Sequence, residues 1–376
     1  MKNKIKRVAL YDPYLDTLGG GEKHILSILE VFAGQGYEVN IFWDKNLTKE
    51  IKNRFSFRFI DSIKFLPNIF KNNFSPLKTL QTLRTFDYFF YVTNGSYFFS
   101  SAKNNFVFCM VPNKRLYNLD FLNSLKLWNY KFISNSPFTT KWLTKWAINP
   151  ITIPPYIDDK LFVNNQNKKE KIILSVGRFF PHLHSKNQEE IIKTFKKLKN
   201  KSTEFKEYKL ILVGGLKKED QLYFNQLKQI ANDDFSIIFK PNLSLYELYE
   251  LYRLSNYFWH FTGYGVDEEK NPELVEHFGI APLEAIASGC LAFCYSAGGP
   301  KELIKDGKNG FLFSDVDELI GKMIKVDSND TLKGNIINNG KQFVKENFSY
   351  QVFRDKVLNL TKVRPYKDGP YKESPL

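Results

Sequence analysis

Two glutamates eight positions apart, Glu276 and Glu284, lie in the stretch EHFGIAPLEAIASGCLAFCYSAGGPKELI, which runs from Glu276 to Ile304. The first precedes the turn at Gly279. The second falls in the helix that this turn opens, on a side that can look back at the loop. Carboxylates placed in this way suit the hydroxyls of two sugar rings, a ribose and a hexose. Phe278 and Gly279 turn the chain into that helix, and the glycines there and in AGGP, Gly279, Gly298 and Gly299, bring bare backbone amides to the same place. A second group is cationic. Arg178 follows the strand-like ILSVG, and Lys186 stands at the start of the next helix. Two cations at a strand end and a helix N-terminus gather phosphate charge. A cation there also opposes the helix macrodipole, so an anion is expected beside it. A third group, Gly19-Gly20-Gly21, follows the first strand and lets backbone amides approach a diphosphate. It lacks the G-x-G-x-x-G spacing and alone marks only a tight turn.

These groups need strands and helices to hold them. RVALYD reads as a strand, and a helix follows with Ile25, Ile28, Leu29 and Phe32 on one face. EVNIFWD is the next strand, so the chain opens with a βαβ unit and a parallel sheet. Further strands are predicted at YFFYVT, FVFCMV and KFISNS, then a helix at PFTTKWLTKWA. The prolines of IPPYID and the polar run NNQNKKEK mark a boundary. Alternation then restarts at KIILSVGRF and continues to CLAFCYS. The fold class expected is α/β, with two Rossmann-like doubly wound domains facing across a cleft. They span 1–157 and 158–349, and 350–376 form a C-terminal helix and tail that packs back on the first domain. In such sheets ligands bind outside the carboxyl ends of the strands, where all three groups fall.

Composition narrows the class. Hydrophobic residues make up 43% of the 376, enough for two buried cores. No apolar run reaches the roughly 18 residues a membrane-spanning helix needs, and Tyr11-Asp12-Pro13 interrupts the short apolar run at the N-terminus. Three cysteines, Cys109, Cys290 and Cys294, are too few and too odd for a disulfide framework and point to a reducing compartment. In a strand, Cys290 and Cys294 stand about 13 Å apart, too far to share a metal. The net charge of +14 favours an anionic partner or reflects lysines spread over every solvated face. The segment from Phe55 to Arg84 interleaves aromatics and cations; it reads either as a surface for anionic lipid or as a helical pair with Phe inward and Lys outward. A nucleic-acid-binding role finds no helix-turn-helix, zinc-finger or RRM signature. Asp315-Val316-Asp317 mimics a D-x-D metal motif but reads as the start of a helix.

Taken together, the motifs resemble a family. EHFGIAPLE is similar to the E-x7-E signature of retaining glycosyltransferases of the GT-B fold, family 4. GGGEKH, ISNSPFTTKWL with IPPYID, ILSVGRF with KNQ, and AGGPKELIKDGKNGFLF resemble its other segments, from about Leu10 to Tyr350. The resemblance implies transfer of a hexose from a nucleoside-diphosphate sugar to a glycan or lipid-linked acceptor. It implies no cofactor and no metal, a cytoplasmic location, and a peripheral site on an anionic membrane surface. Arg178 and Lys186 would neutralise the leaving diphosphate, Glu284 hold the ribose and Glu276 contact the donor sugar. Phe278, Gly279 and Ile280 would present amides, and Gly20 and Gly21 would face the diphosphate from the first domain. Many relatives carry a histidine on the acceptor side where this chain reads FCMVPNKR, which leaves Asn113, Lys114 or Arg115 in that place. The wording EHFGI, with WHFTGYG upstream, is similar to mannosyltransferases that use GDP-mannose. A nucleotide-sugar epimerase or hydrolase of the same fold is the alternative.

Overall fold

A computed structural model describes residues 5–55, 57–71, 75–162, 169–182 and 184–361. The tail 362–376 lies outside it, as do most of the polar run after the boundary, Leu183, and positions 56 and 72–74 of the aromatic-cationic segment. The chain divides into two compact units. One holds Met1–Pro155 and Phe353–Leu376, the other Tyr156–Val352.

The first unit is built on seven parallel strands, β1 (Arg7–Tyr11), β2 (Glu38–Phe42), β3 (Lys64–Leu66), β4 (Tyr88–Val92), β5 (Asn104–Cys109), β6 (Tyr130–Ser134) and β7 (Ile151–Thr152). Their order is β3-β2-β1-β4-β5-β6-β7, so the direction of winding reverses between β1 and β4. Helices α1 (Gly20–Gly34), α2 (Thr48–Arg54), α3 (Pro76–Leu83), α4 (Phe121–Lys126) and α5 (Pro137–Lys145) connect them. Strand β4 is buried along its whole length, which is why YFFYV reads as one apolar run without alternation. The segment from Phe55 to Arg84 is not a helical pair. It holds β3 and α3, its Phe55 and Phe59 are buried, and its Lys64 and Lys71 are ion-paired to Glu38 and Asp44.

The second unit has six parallel strands, β8 (Glu170–Val176), β9 (Lys209–Gly214), β10 (Ile237–Pro241), β11 (Ser255–His260), β12 (Leu291–Tyr295) and β13 (Phe311–Phe313). They run in the order β10-β9-β8-β11-β12-β13, and the reversal lies between β8 and β11. The period-2 alternation of a strand sorts its core. Ile173, Leu210, Leu212, Tyr257, Trp259, Leu291 and Phe293 pack on one face. Ile172, Leu174, Ile211, Val213, Phe258, Ala292 and Cys294 pack on the other. Helices α6 (Gln188–Lys201), α7 (Gln221–Ala231), α8 (Leu245–Leu254), α9 (Ile280–Ala287), α10 (Gly298–Leu303), α11 (Val316–Asp327) and α12 (Asp330–Phe348) cover the sheet. Asp315 caps α11 by accepting the Glu318 N–H (2.8 Å). The last helix, α13 (Tyr350–Leu360), places Phe353 against His24 of α1. Among the described residues no helix is long and apolar enough to cross a membrane.

Candidate active site

The cationic and carboxylate groups of the second unit meet at the C-terminal edge of β8 and β11. Backbone accounting explains how. Asn187, at φ 52°, precedes α6, and its side-chain amide donates to the Phe261 carbonyl just beyond β11 (2.8 Å). Gln188 Nε2 donates to the Arg178 carbonyl (2.9 Å). The start of α6 is thereby tied to the ends of both strands. Lys186 runs over Gly177, where any Cβ would come within 2.3 Å of its Cγ. Its Nζ ends 2.6 Å from Glu276 Oε2. The anion expected beside a cation at this helix start is therefore Glu276 itself.

His260, the last residue of β11, completes the cluster. Its Nε2 lies 3.1 Å from the same Glu276 oxygen but off the N–H axis, so this buried nitrogen has no aligned hydrogen-bond partner among the described residues. Burial pushes the Glu276 carboxyl up, but Lys186 and His260 together outweigh it and hold the group well below the usual carboxylate range. Burial also pushes His260 below the ordinary histidine value, against the pull of Glu276. The site at pH 7 is thus an ammonium and a carboxylate beside a neutral imidazole. His184 Nδ1 lies 3.2 Å from the Val275 carbonyl oxygen, and its ring stands edge-on to His277 at 4.5 Å. Arg178 is exposed, with its guanidinium 5.4 Å from the Phe180 ring centre.

The turn that carries Glu276 is held from below by α10. Gly298, at φ +61°, would place a Cβ 2.2 Å from the Glu276 carbonyl oxygen, and Gly299 a Cβ 2.4 Å from that of Phe278. The Gly299 N–H donates to the Glu276 carbonyl (2.7 Å), and the Gly298 N–H donates to Glu268 Oε2 (2.7 Å). These two amides are spent on structure, where the sequence suggested bare donors. Phe278 is buried against Phe348, and Gly279 (φ +107°) turns the chain into α9. The first-turn N–H groups there, from Ile280 on, have no intrahelical acceptor. Glu284 follows on α9, buried, with Tyr252 Oη donating to its Oε2 (3.1 Å). Burial, reinforced by Glu284, pushes the Tyr252 phenol far up, so it remains a donor that fixes the carboxylate.

In the first unit, Gly20 and Gly21 form the first turn of α1. The preceding Gly19 N–H donates to Glu22 Oε2 (2.6 Å), so a carboxylate already occupies this helix start. Asp12, at the end of β1, is buried; its Oδ1 accepts the Tyr14 N–H (2.9 Å) and its Oδ2 has no partner among the described residues. Burial first, then the charge of Glu22, pushes Asp12 up to about 8. The expectation that Gly20 and Gly21 face a diphosphate thus meets two carboxyl groups. On the acceptor side, Asn113 Oδ1 accepts the Arg115 N–H (3.1 Å), and Lys114 and Arg115 are exposed. Asp12, His260 and Tyr252 were not singled out as site residues in the sequence. The one readable signal was a polar residue ending an apolar strand, as Asp12 does after RVALY and His260 after YFW.

The fold and this site have relatives. A glycosyltransferase from Rickettsia africae superposes over 96% of this chain and 98% of its own, at TM-score 0.71 and 15% identity. HepE from Anabaena, in complex with UDP, does so over 95% and 100%, at TM-score 0.72 and 15% identity. Residues 157–343, which contain Lys186, His260, Glu276 and Glu284, match the family model described as glycosyl transferases group 1. These residues carry a glycosyl transferases group 1 domain, and the fold of the chain is GT-B. Among curated proteins, the chain is similar to the GDP-Man:Man(3)GlcNAc(2)-PP-Dol alpha-1,2-mannosyltransferase of Xenopus tropicalis. The two are 31% identical over 182 residues, 46% of this chain and 34% of that relative. The chain thus spans about a third of the length of that curated relative.

Proposed function

We propose that the chain moves a hexose from a nucleoside-diphosphate sugar to a hydroxyl of a glycan or lipid-linked acceptor, with retained anomeric configuration. The observation that carries this reading is the convergence of Lys186 and Glu276 with the start of α9 at the β8/β11 switch, inside the segment that matches the family model. In this reading Arg178 and Lys186 neutralise the diphosphate as the bond from sugar C1 to the phosphate oxygen breaks. The acceptor oxygen joins C1 on the same face, and its proton passes to a phosphate oxygen. The two cations carry the charge that a metal would otherwise carry. Because Lys186 already holds Glu276, the diphosphate competes for that ammonium and turns the carboxylate toward the donor sugar's hydroxyls. Glu284, oriented by Tyr252, receives the ribose. Lys114 and Arg115 suit an acceptor that carries phosphate. GDP-mannose is the donor favoured by the EHFGI wording and by the name of the mannosyltransferase relative. Three buried free thiols suit a reducing compartment, such as the cytoplasmic side of a membrane.

Calorimetric titration with GDP-, UDP- and dTDP-sugars tests this reading. One donor is expected to bind, and Glu284→Ala is expected to weaken it at least roughly tenfold, as for a lost charge-assisted hydrogen-bond pair. An unchanged Kd in that variant would remove Glu284 from the ribose.

A further inference from the structure

The first unit carries an apolar face that its own core does not use. Phe121, Leu122, Leu125 and Trp128 are 82%, 64%, 50% and 64% exposed. Phe121, Leu122 and Leu125 fall within a sector of roughly 100° on α4, Trp128 follows in the turn just after it, and all four are turned outward. An ordinary surface helix does the reverse. The helix is held to the unit by the residue just after it, Leu127, which is buried in the core, and by Ser124 Oγ, which donates to the Leu119 carbonyl (3.1 Å). The patch extends past the helix. Asn129 Nδ2 donates to the Ser100 carbonyl (2.9 Å), which brings the exposed Phe99 alongside. Cations flank it, with Lys114 and Arg115 exposed and Lys126 and Lys131 half-buried. The one carboxylate between Asn113 and Lys131 is Asp120, and it is spent capping α4 through the Asn123 N–H (2.8 Å).

An exposed apolar patch of this kind marks an interface. Its chemistry selects the partner. Trp, Phe and Leu flanked by Lys and Arg is the composition of an element lying at a lipid headgroup boundary. The chain's charge of +14 draws it to an anionic surface. A second copy fits less well, because a two-fold interface sets the same patch against itself and brings Lys114 and Arg115 toward their own equivalents. Of the three lysines of the segment first considered for this role, Lys64 and Lys71 are already paired with carboxylates. We propose that Phe121, Leu122, Leu125 and Trp128 insert among the headgroups of an anionic lipid bilayer, with Lys114, Arg115 and Lys126 on its phosphates. The apolar part of this docking surface is independent of the donor and of the transfer reaction; of the residues named, Lys114 and Arg115 are shared with the acceptor side of the proposed function.

Co-sedimentation of the full chain with phosphatidylcholine vesicles, with and without phosphatidylglycerol, tests it. The chain is expected to sediment with the phosphatidylglycerol vesicles only. The F121S/L125S/W128S variant is expected to partition at least roughly tenfold more weakly. Brominated lipid is expected to quench the chain's tryptophan fluorescence, and Trp128→Phe to remove that quenching while the variant still binds. Equal binding by the triple variant, no binding by the unaltered chain, or quenching that survives Trp128→Phe would each overturn the proposal. So would a dimer on size exclusion that the triple variant splits without any lipid binding, which would assign the face to a second copy.

Discussion

At the scale of single residues, Arg178 and Lys186 stand in unequal settings. Lys186 is committed to Glu276 at 2.6 Å, whereas Arg178 is exposed. Replacing Arg178 therefore removes charge from the site without leaving a buried partner behind. Arg178→Ala is expected to lower turnover by roughly 10²–10³, as when a preorganised charge stabiliser is lost, with an unchanged melting temperature. Initial rates of sugar transfer check it, and near-normal turnover would take Arg178 out of the reaction. Lys186 does not allow so clean a reading, because its loss also strands a carboxylate in a half-buried place. Both cations were legible in the sequence from their positions around a strand end and a helix start. Their difference was not, because it depends on which of them meets Glu276, ninety positions away.

At the scale of elements, the site stands on one close approach, that of α10 beneath the turn carrying Glu276. Gly298 combines φ +61° with a space in which a Cβ would stand 2.2 Å from a backbone oxygen. Backbone cannot yield as a long side chain can. Gly298→Ala is accordingly expected to cost roughly 1–3 kcal/mol from the left-handed backbone alone, and more from the clash. It should also shift Glu276 and weaken donor binding. Thermal unfolding together with donor titration checks this, and a variant that melts and binds like the unaltered chain would show that α10 can move aside. The AGGP segment was visible in the sequence as glycines near the site. Its role was misread there, since the amides of Gly298 and Gly299 hold Glu268 and the Glu276 carbonyl.

At the scale of the whole molecule, two buried groups of the first unit set opposite slopes in pH. Asp12 is pushed up to about 8 by burial, then by Glu22; an unfolded aspartate titrates near 3.8. Between those values the folded state holds a proton that the unfolded state has lost, so stability rises as pH falls. His24 is pushed down to about 3 by burial, from an ordinary 6.5. Below 6.5 the unfolded state takes a proton that the folded state refuses, so stability falls as pH falls. Asp12 acts alone between 8 and 6.5, where the gain is roughly 2 kcal/mol at 1.4 kcal/mol per pH unit. Below 6.5 the Asp12 and His24 slopes offset each other, and His260 and His184, also pushed down by burial, tip the balance toward lower stability. Urea midpoints are expected to rise from pH 8 to 6.5 and then to fall. Asp12→Asn is expected to abolish the rise, and a variant that kept it would remove Asp12 as its source.

The sequence by itself determined the two α/β units and the carboxylates and cations that stand at the strand ends of the second. Local periodicity and the chemistry of loops are written in neighbouring residues, and the E-x7-E spacing is a property of one turn and one helix. Only the tertiary structure decided that Lys186 answers Glu276, that His260 stands beside that carboxylate, and that Tyr252 fixes Glu284. These contacts join residues from different strands and helices, and no spacing along the chain encodes them. The apolar face of α4 was hidden for a related reason. FLNSLKLW has the composition of a core helix, and only its packing against the sheet shows which side is turned to solvent.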